Sequence, residues 1–398
     1  MSETPLRVLL VTDADLTVGS RGAGRTLSNL FSHYPADALL AISGCSTAPY
    51  VMEGGHRVLA GAPGLPGRVV DPLRRVVGDL DAAWARRRPL PEPQVITDFD
   101  PQLMLAVPTG SVGVALAERC RSAVPLVTYL MDDWLSHASG AGFVFDTPRR
   151  GRALLRESAG WLAVSPYLLD AMRSDLGVDR PSLVVHNPVS LDGGEPAALA
   201  SARTGRFRVA YAGSVWPMHW DAVAAVAQGV QRLREAGTDI EFVLFTDRYF
   251  WGLHEADWRR WGVVDGGLVP YAGLGAALEQ CDLLLVASSF EASQAHMSRS
   301  SVQTKVTDYM AAGRPILCCG PRDAASNRLL REHDCAYVTE DRSPAAVDAM
   351  LGMCVAARAD GPAMARRAWD VVRREHGMDT VTARLYEFLR RIATSPSA

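Results

Sequence analysis

The chain has 398 residues, of which 48% are hydrophobic and 21% charged, and its formal net charge at pH 7 is −3. A chain of this length exceeds one ordinary core, which predicts two domains. The slightly acidic balance argues against nucleic acid as a partner, because affinity for a phosphate backbone needs a basic surface.

The first half of the chain alternates short apolar runs with helical patterns, which predicts a parallel α/β sheet. A glycine-bearing loop follows the first predicted strand, and residues 60–93, rich in Pro, Gly and Arg, are predicted to form a long loop. The predicted strands are 7–12, 38–42, 95–98, 126–130, 161–164 and 183–186. The predicted helices are 25–33, 112–121 and 166–176.

The α/β alternation restarts after residues 191–206, which are small and polar and predict a linker. The strands predicted beyond it are 207–213, 241–245, 268–271, 281–287, 316–319 and 336–339. The helices predicted there are 222–235, 344–374 and 380–392. The pattern indicates two doubly wound domains that face one another. Because ligands of such sheets bind at the carboxyl ends of the strands, the cleft between the domains is the expected site.

Lys305 is the only lysine among the 41 basic residues of the chain. Lysine is a compact point charge, whereas arginine is a wide planar fork, so a lysine that touches a phosphate in a tight pocket is hard to replace. Asp308 lies three residues later on the same helical face. The pair is suited to hold a phosphorylated sugar, although a solvent-exposed ion pair would produce the same pattern.

Further candidate residues of the second half follow predicted strands. Gly213, Ser214 and Trp216 form a turn after the strand 207–213, where a glycine lets the backbone approach a ligand. Glu291 follows the strand 281–287 and would face the cleft. The alternatives are an ordinary structural turn and a surface carboxylate. The backbone N–H groups of the segment before the Lys305 helix are expected to be available for a diphosphate. That segment consists of Ser300, Ser301 and Val302.

In the first half, Asp132 and Asp133 follow the strand 126–130. They could hold acceptor hydroxyls, act as a base or bind a metal ion, or they could simply cap a helix. The nearby His137 is interpreted as structural. The loop after the first strand could approach a diphosphate or an acceptor, or it could be a flexible connection. Its candidate residues are Gly19, Arg21, Gly22, Gly24 and Arg25.

A competing pattern lies at the end of the first strand, where Asp13 and Asp15 precede Thr17. The run resembles the motif of haloacid-dehalogenase phosphatases, in which the first aspartate is the nucleophile and the second the acid/base. That family also needs a lysine and later metal-binding acids. Here the only lysine lies in the other half of the chain, and the acidic pair Asp132-Asp133 precedes it, which disfavours this reading.

Taken together, the chain resembles the GT-B fold glycosyltransferases of the family 4 type. Residues 164–166 look like the family's "VS" strand end, residues 185–189 like its "NP-V" approach to the linker, and Gly213-Ser214 like its donor-side turn. The segment 305–315 resembles "SKxxEYMAAGKPI" and is the most specific of these matches.

The resemblance implies a GT-B architecture, with two Rossmann-like domains at 1–190 and 207–375. It also implies a C-terminal helix, within 376–398, that crosses back to the first domain. Such enzymes transfer a sugar from a nucleotide-diphosphate donor to a hydroxyl acceptor with retention, normally without a metal or other cofactor.

The resemblance also assigns site residues. Asp308 would hold the nucleotide ribose, Lys305 the diphosphate, and Tyr309 would join the donor site. The family's first motif acid is replaced by Ser300, for which Glu291 could substitute through a longer loop. The Arg and Lys that follow its donor turn are absent, and the residues there are Ser214, Trp216, His219 and Trp220. An inactive member that only binds the donor would keep the same fold.

Other features concern location. The seven cysteines show no CxxC pairs, which favours a reducing cytoplasm over a disulfide framework or a zinc site. The N-terminal residues lack the basic and apolar regions of a signal peptide. No apolar run reaches the ~18 residues of a membrane helix. The Ala- and Arg-rich composition suggests a bacterial source, and the oligomeric state is not predicted.

Overall fold

The computed structural model describes residues 5–46, 48–61, 86–87, 92–133 and 147–395. The chain divides into two compact units. The first consists of Met1–Pro188 and Asp379–Ala398, and the second of Val189–Met378. Each unit is built on a largely parallel sheet. Within the described ranges, no helix has the length and apolar character required to cross a bilayer.

The sheet of the first unit has eight strands in the order β3-β4-β2-β1-β5-β6-β7-β8. All neighbouring pairs are parallel except β3 with β4. The strands are β1 (Val8–Thr12), β2 (Leu39–Ser43), β3 (Tyr50–Val51), β4 (Arg57–Ala60), β5 (Leu103–Val107), β6 (Leu126–Leu130), β7 (Gly160–Ala163) and β8 (Ser182–Val184).

The helices of this unit include the last helix of the chain. A methyl group added to Gly160 of β7 would lie 3.1 Å from Phe388 and Ile392, and the Tyr386 hydroxyl donates to the Leu30 carbonyl at 2.6 Å. These contacts attach the final helix to the first sheet. The helices are α1 (Ala23–Phe31), α2 (Pro93–Phe99), α3 (Ser111–Arg119), α4 (Thr147–Glu157), α5 (Pro166–Leu176) and, at the end of the chain, α15 (Met378–Thr394).

The sheet of the second unit has six strands in the order β11-β10-β9-β12-β13-β14, all parallel. Its strands are β9 (Phe207–Ala212), β10 (Ile240–Phe245), β11 (Val264–Asp265), β12 (Leu283–Ala287), β13 (Ile316–Cys319) and β14 (Tyr337–Thr339). Its helices are α6 (Pro217–Glu235), α7 (Arg248–Leu253), α8 (Glu255–Trp261), α9 (Tyr271–Glu279), α10 (Ala295–Ser300), α11 (Lys305–Ala311), α12 (Ala325–Glu332), α13 (Pro344–Ala356) and α14 (Gly361–Glu375).

The strand order of each sheet reverses once. From β9 the chain proceeds to β10 and β11 on one side, and then returns to place β12 on the other side. In the first sheet, β1 likewise lies between β2 and β5. Open parallel sheets bind ligands at the carboxyl ends of the strands where this reversal occurs. The residues that follow β9 and β12 in the second sheet, and those that follow β1 and β5 in the first, are therefore candidates for contact with a ligand.

The prediction of two α/β halves is confirmed, but two strand predictions are wrong. Residues 95–98 belong to α2, which begins with Pro93 at a position where proline's fixed φ favours a helix. The strand at this point in the chain is β5, whose residues are all buried but include no β-branched residue before Val107. Residues 268–270 are loop leading into α9, which begins at Tyr271 because Pro270 caps that helix. Most of the loop predicted at 60–93 lies outside the described residues.

Candidate functional site

A glycine turn closes strand β9 at the reversal point of the second sheet. Gly213 has a φ of 121°, a conformation that L side chains rarely adopt, and its N–H donates to the Phe245 carbonyl at 2.8 Å. The carbonyl of the next residue, Ser214, accepts from the Tyr211 hydroxyl at 3.0 Å and lies 3.1 Å from the His219 Nδ1. The turn is thus held rigidly by side chains from β9 and α6.

Lys305, the first residue of α11, directs its ammonium group at this turn. The Nζ atom lies 3.6 Å from the centroid of the Tyr211 ring, and a Cβ built on Gly213 would be 3.3 Å from it. The Nζ atom is buried and has no hydrogen-bond partner among the described residues. Burial holds the pKa of Lys305 well below its usual range, and the attraction of Asp308 only partly offsets this effect.

A buried ammonium without a hydrogen-bond partner is expensive, because it has lost its water and gained only the face of an aromatic ring in return. Strongly shifted pKa values of this kind cluster at functional sites, and an anion bound here would supply the missing partner. Gly213 matters to this arrangement, because any larger residue would occupy the space directly next to Nζ. The ammonium group of Lys305 therefore lies beside the backbone of Gly213, where no side chain separates the two.

His219 is a second buried group without a full set of partners among the described residues, and the sequence indicated no role for it beyond its place where the family's Arg and Lys are missing. It lies in the first turn of α6 and is 6% exposed. Its Nε2 has no partner among the described residues. Burial, and secondarily the charge of Lys305, hold the pKa of His219 well below its usual range.

Asp308 and Tyr309 follow Lys305 on α11, and the structure uses them differently. Asp308 is partly exposed and its Oδ1 accepts from the Tyr271 hydroxyl at 3.0 Å. Tyr309 is fully buried, and its hydroxyl accepts from the backbone N–H of Ala212 at 2.7 Å. The Tyr309 hydroxyl therefore secures the end of β9, next to Gly213, to α11.

The amide groups expected before Lys305 are not all available. Ser300 is the last residue of α10, and Ser301 donates its backbone N–H to the Met297 carbonyl at 2.9 Å. A short helix therefore ends at Ser300, in the segment that the sequence predicted to offer free N–H groups before the Lys305 helix. Val302 is 5% exposed. The neighbouring Gln303 attaches this segment to β12, since its Nε2 donates to the Ala287 carbonyl at 2.8 Å.

Glu291 lies beyond the carboxyl end of β12, and its side chain is 55% exposed. It forms an ion pair with Arg342 at 2.9 Å. Arg342 also contacts Asp221 of α6 at 2.7 Å, and the same Asp221 oxygen accepts from the Phe290 N–H at 2.9 Å. The sequence predicted neither Arg342 nor Asp221, because the two residues are distant from Glu291 along the chain and only the fold brings them together.

Trp216 caps α6 and is the most exposed aromatic residue next to the glycine turn, with 51% of its surface accessible. Its ring meets that of Phe250 edge to face, with the centroids 4.7 Å apart. Phe250 belongs to α7, which follows β10. The pair extends the edge of the second sheet with an apolar surface beside Gly213 and Ser214.

In the first unit, the predicted loop connects β1 to α1. Gly24 packs so tightly that a Cβ there would lie 1.8 Å from the Asp15 carbonyl oxygen, and Gly19 and Gly22 have positive φ values. Arg25 forms an ion pair with Glu53 at 2.7 Å, whereas Arg21 is exposed. The glycine at position 24 allows two backbone segments of the loop to lie in close contact, and the guanidinium of Arg25 already forms an ion pair with Glu53.

Asp132 and Asp133 directly follow β6, with Asp132 exposed and Asp133 partly exposed. The neighbouring His137 lies outside the described residues. The structure thus places both acids at the carboxyl edge of the first sheet, as their position in the sequence suggested. No group of three or more potential metal-ligating His, Cys, Asp or Glu side chains occurs in the described part of the chain.

Asp13 would be the nucleophile if the protein were a phosphatase, but its carboxylate forms hydrogen bonds that hold the fold together. Its Oδ1 accepts from the N–H and hydroxyl of Thr109 at 2.6 and 2.9 Å, and its Oδ2 from the Gly113 N–H at 2.9 Å. These bonds join the ends of β1 and β5 to the start of α3. Burial nonetheless raises the pKa of Asp13. Asp15 accepts from the Thr17 N–H at 2.9 Å in a local turn. This arrangement disfavours a nucleophilic role for Asp13.

Several solved structures that resemble this chain over almost its whole length are those of glycosyltransferases. HepE from Anabaena, solved with UDP and glucose, matches with a TM-score of 0.65 at 16% identity, covering 97% of this chain and 99% of HepE. Sucrose-phosphate synthase from Thermosynechococcus elongatus matches with a TM-score of 0.75 at 10% identity, covering 98% and 99%. Trehalose 6-phosphate synthase from Burkholderia multivorans matches with a TM-score of 0.63 at 11% identity, covering 98% and 97%.

No protein-family model and no curated protein sequence matches the chain. At these identities the structural likeness establishes the fold, which is the GT-B fold expected from the sequence.

Proposed function

We propose that this protein is a glycosyltransferase that moves a sugar from a nucleotide-diphosphate donor to a hydroxyl acceptor, with retention and without a metal ion. The observation that carries the proposal is the buried Nζ of Lys305, which has no hydrogen-bond partner among the described residues and faces the glycine turn after β9. The same fold occurs in HepE, which was solved with UDP-glucose.

In this mechanism, Lys305 meets the diphosphate and stabilises the negative charge that develops on it as the sugar departs. A preorganised cation aimed at developing charge is usually the largest single contribution to catalysis. Because Lys305 is already desolvated, little reorganisation is needed when the charge appears. The single lysine thus supplies the positive charge that a metal ion would supply elsewhere.

The remaining roles follow from position. Asp308, partly exposed next to Lys305 in the chain, would hold the nucleotide ribose, and Glu291 would contact the donor sugar. Asp132 or Asp133 would orient the acceptor hydroxyl, and the leaving phosphate would take its proton. Uridine is the proposed base, since HepE binds UDP and UDP-glucose.

The test is release of nucleoside diphosphate from a panel of nucleotide sugars, with EDTA present and a mixture of simple hydroxyl acceptors. We expect turnover for one donor, and a product that keeps the anomeric configuration of that donor. Lys305→Ala should reduce turnover by about 10²-fold, the scale of losing one strong contact to a developing anion. Turnover within a few-fold of the wild type in this variant would refute the role of Lys305.

A binding protein that assists another transferase is the second candidate. It is favoured by the ion pair of Glu291 with Arg342, which occupies the residue expected to replace the missing motif acid. This candidate predicts diphosphate binding without release of any sugar from any donor in the panel. The same assay, paired with a binding measurement, therefore separates the two functions.

A further inference from the structure

His219 presents an unusual hydrogen-bonding state next to Lys305. Its Nδ1 lies 3.1 Å from the carbonyl oxygen of Ser214. A carbonyl oxygen only accepts, so Nδ1 must carry the hydrogen. In a neutral ring the other nitrogen, Nε2, then carries a bare lone pair. That atom is buried and has no hydrogen-bond partner among the described residues.

The surroundings of this ring favour its neutral form. His219 lies in α6 and packs near the Tyr211 ring of β9, with the ring centroids 6.1 Å apart. Burial, and secondarily the charge of Lys305 of α11, lowers the pKa of His219 well below the usual range. Asp221 lies two residues along the same helix, where one of its oxygens is bonded to Arg342 and to the Phe290 N–H.

A bare Nε2 lone pair repels an anionic oxygen, whereas an N–H at the same position would donate to it. An anion that settles beside Lys305 neutralises the charge that disfavours protonation of the imidazole. Both changes favour the addition of one proton to Nε2. The binding of an anion and the protonation of His219 are therefore thermodynamically linked, and each promotes the other.

We propose that His219 is neutral in the free protein and takes up one proton from solvent when a nucleoside diphosphate binds, so that an imidazolium and Lys305 hold the diphosphate together. No covalent bond changes in this step, and the ring simply goes from charge zero to charge plus one. The site then gains a second cation only when its ligand is present, which limits the cost of two buried positive charges side by side. This inference rests on the proposed function, since it requires a diphosphate at Lys305.

The consequence is an affinity that rises as the pH falls. One linked proton gives a slope of up to about tenfold in Kd per pH unit. The experiment is calorimetric titration with UDP between pH 7 and pH 8.5, a range in which a phosphate with a second pKa near 6 is already ionised. Repeating each titration in buffers of different ionisation enthalpy counts the protons taken up.

The matched variant is His219→Asn, whose amide nitrogen can still donate to the Ser214 carbonyl but cannot titrate. We expect proton uptake in the wild type, and its loss in this variant together with a flat pH dependence. Uptake that persists in His219→Asn would show that a group other than His219, such as the amine of Lys305, takes up the proton, and would overturn the proposal. A wild-type Kd that is independent of pH would overturn it too, even if the variant does not fold.

The outcomes also separate this inference from the proposed function. If UDP binds without proton uptake, the diphosphate site stands and the role of His219 falls, which favours Nε2 as an acceptor for a ligand hydroxyl. If neither UDP nor GDP, dTDP or ADP binds the wild type, the proposed function fails and this inference fails with it.

Discussion

The ammonium group of Lys305 lies 3.6 Å from the centroid of the Tyr211 ring. The Tyr211 hydroxyl in turn donates to the Ser214 carbonyl at 3.0 Å. One buried tyrosine therefore supports both the cation and the glycine turn that faces it. The contact with the aromatic face compensates only part of the hydration that Lys305 has lost. The fold thus maintains a poorly satisfied charge at the carboxyl end of β9, a position at which ligands of parallel sheets bind.

Gly213→Ala should abolish diphosphate binding, because the added methyl group would lie 3.3 Å from the Lys305 Nζ and would also be strained at a φ of 121°. The control is Gly237→Ala, which has a φ of 95° but no atom within 4 Å of the added methyl. Both variants should lose about 1–2 kcal/mol of stability from backbone strain. Only Gly213→Ala should lose the thermal shift with UDP. Equal UDP binding by the two variants would remove Gly213 from the site.

Tyr309→Phe should destabilise the second unit by about 1–3 kcal/mol, because it leaves the buried N–H of Ala212 without its partner at 2.7 Å. Tyr271→Phe is the control, since its hydroxyl bonds to Asp308 in a partly exposed position and its loss should cost little. Urea unfolding measures both effects. A Tyr309→Phe variant with unchanged stability and much weaker UDP binding would show that Tyr309 acts on the ligand directly.

The stability of the ligand-free protein should fall on acidification below about pH 6.5, the ordinary pKa of histidine. Burial and the charge of Lys305 lower the pKa of His219 in the folded state, so the unfolded chain takes up the proton first as the pH drops. The contribution is complete above pH ~6.5 and is lost toward the folded pKa, by up to about 1.4 kcal/mol per pH unit. His219→Asn should show a shallower fall in unfolding free energy. Parallel curves for the two proteins would contradict this assignment.

Asp13→Asn should lower stability while leaving sugar transfer per folded molecule unchanged. The carboxylate accepts three hydrogen bonds from Thr109 and Gly113, and an amide nitrogen in its place would oppose one donor with another. The expected cost is about 1–3 kcal/mol. Asp15→Asn is the control, because Asp15 is exposed and accepts only from a local turn. Magnesium-dependent phosphate release that Asp13→Asn abolishes would instead support a phosphatase.

Much of the fold could be predicted from local pattern, because buried parallel strands produce short apolar runs between helical segments. Strands β6 and β13 and helix α5 have the predicted bounds. The errors occurred where local signals conflict. Val95 and Ile96 suggested a strand, but Pro93 begins a helix there. Leu268 and Val269 suggested another strand, but they lead to the Pro270 cap of α9.

The candidate site could be predicted only in part. Lys305 was distinctive as the single lysine, and Gly213 followed a clear strand. His219 was noticed only as one of the residues in place of the family's Arg and Lys, and its buried Nε2, which has no partner among the described residues, is visible only in the structure. Arg342 and Asp221 are separated from Glu291 by tens of residues, so their ion pairs depend on the packing of distant elements. The sequence did not predict that α10 ends at Ser300, because a run of serines is compatible with either end of a helix.

Lys305 is proposed to form a diphosphate site that needs no metal ion. The most direct test is the melting-temperature shift of the wild type and of Lys305→Ala with UDP, GDP, dTDP and ADP in the presence of EDTA. A ligand at a hundred times its Kd adds about 2.7 kcal/mol of stability, which gives an easily measured shift. We predict a shift of the wild type with one diphosphate, UDP, and none in Lys305→Ala, although the ligand-free variant should melt no lower because it lacks a buried, poorly satisfied charge. An equal shift in the two proteins, or no shift with any diphosphate, would show that Lys305 does not form such a site.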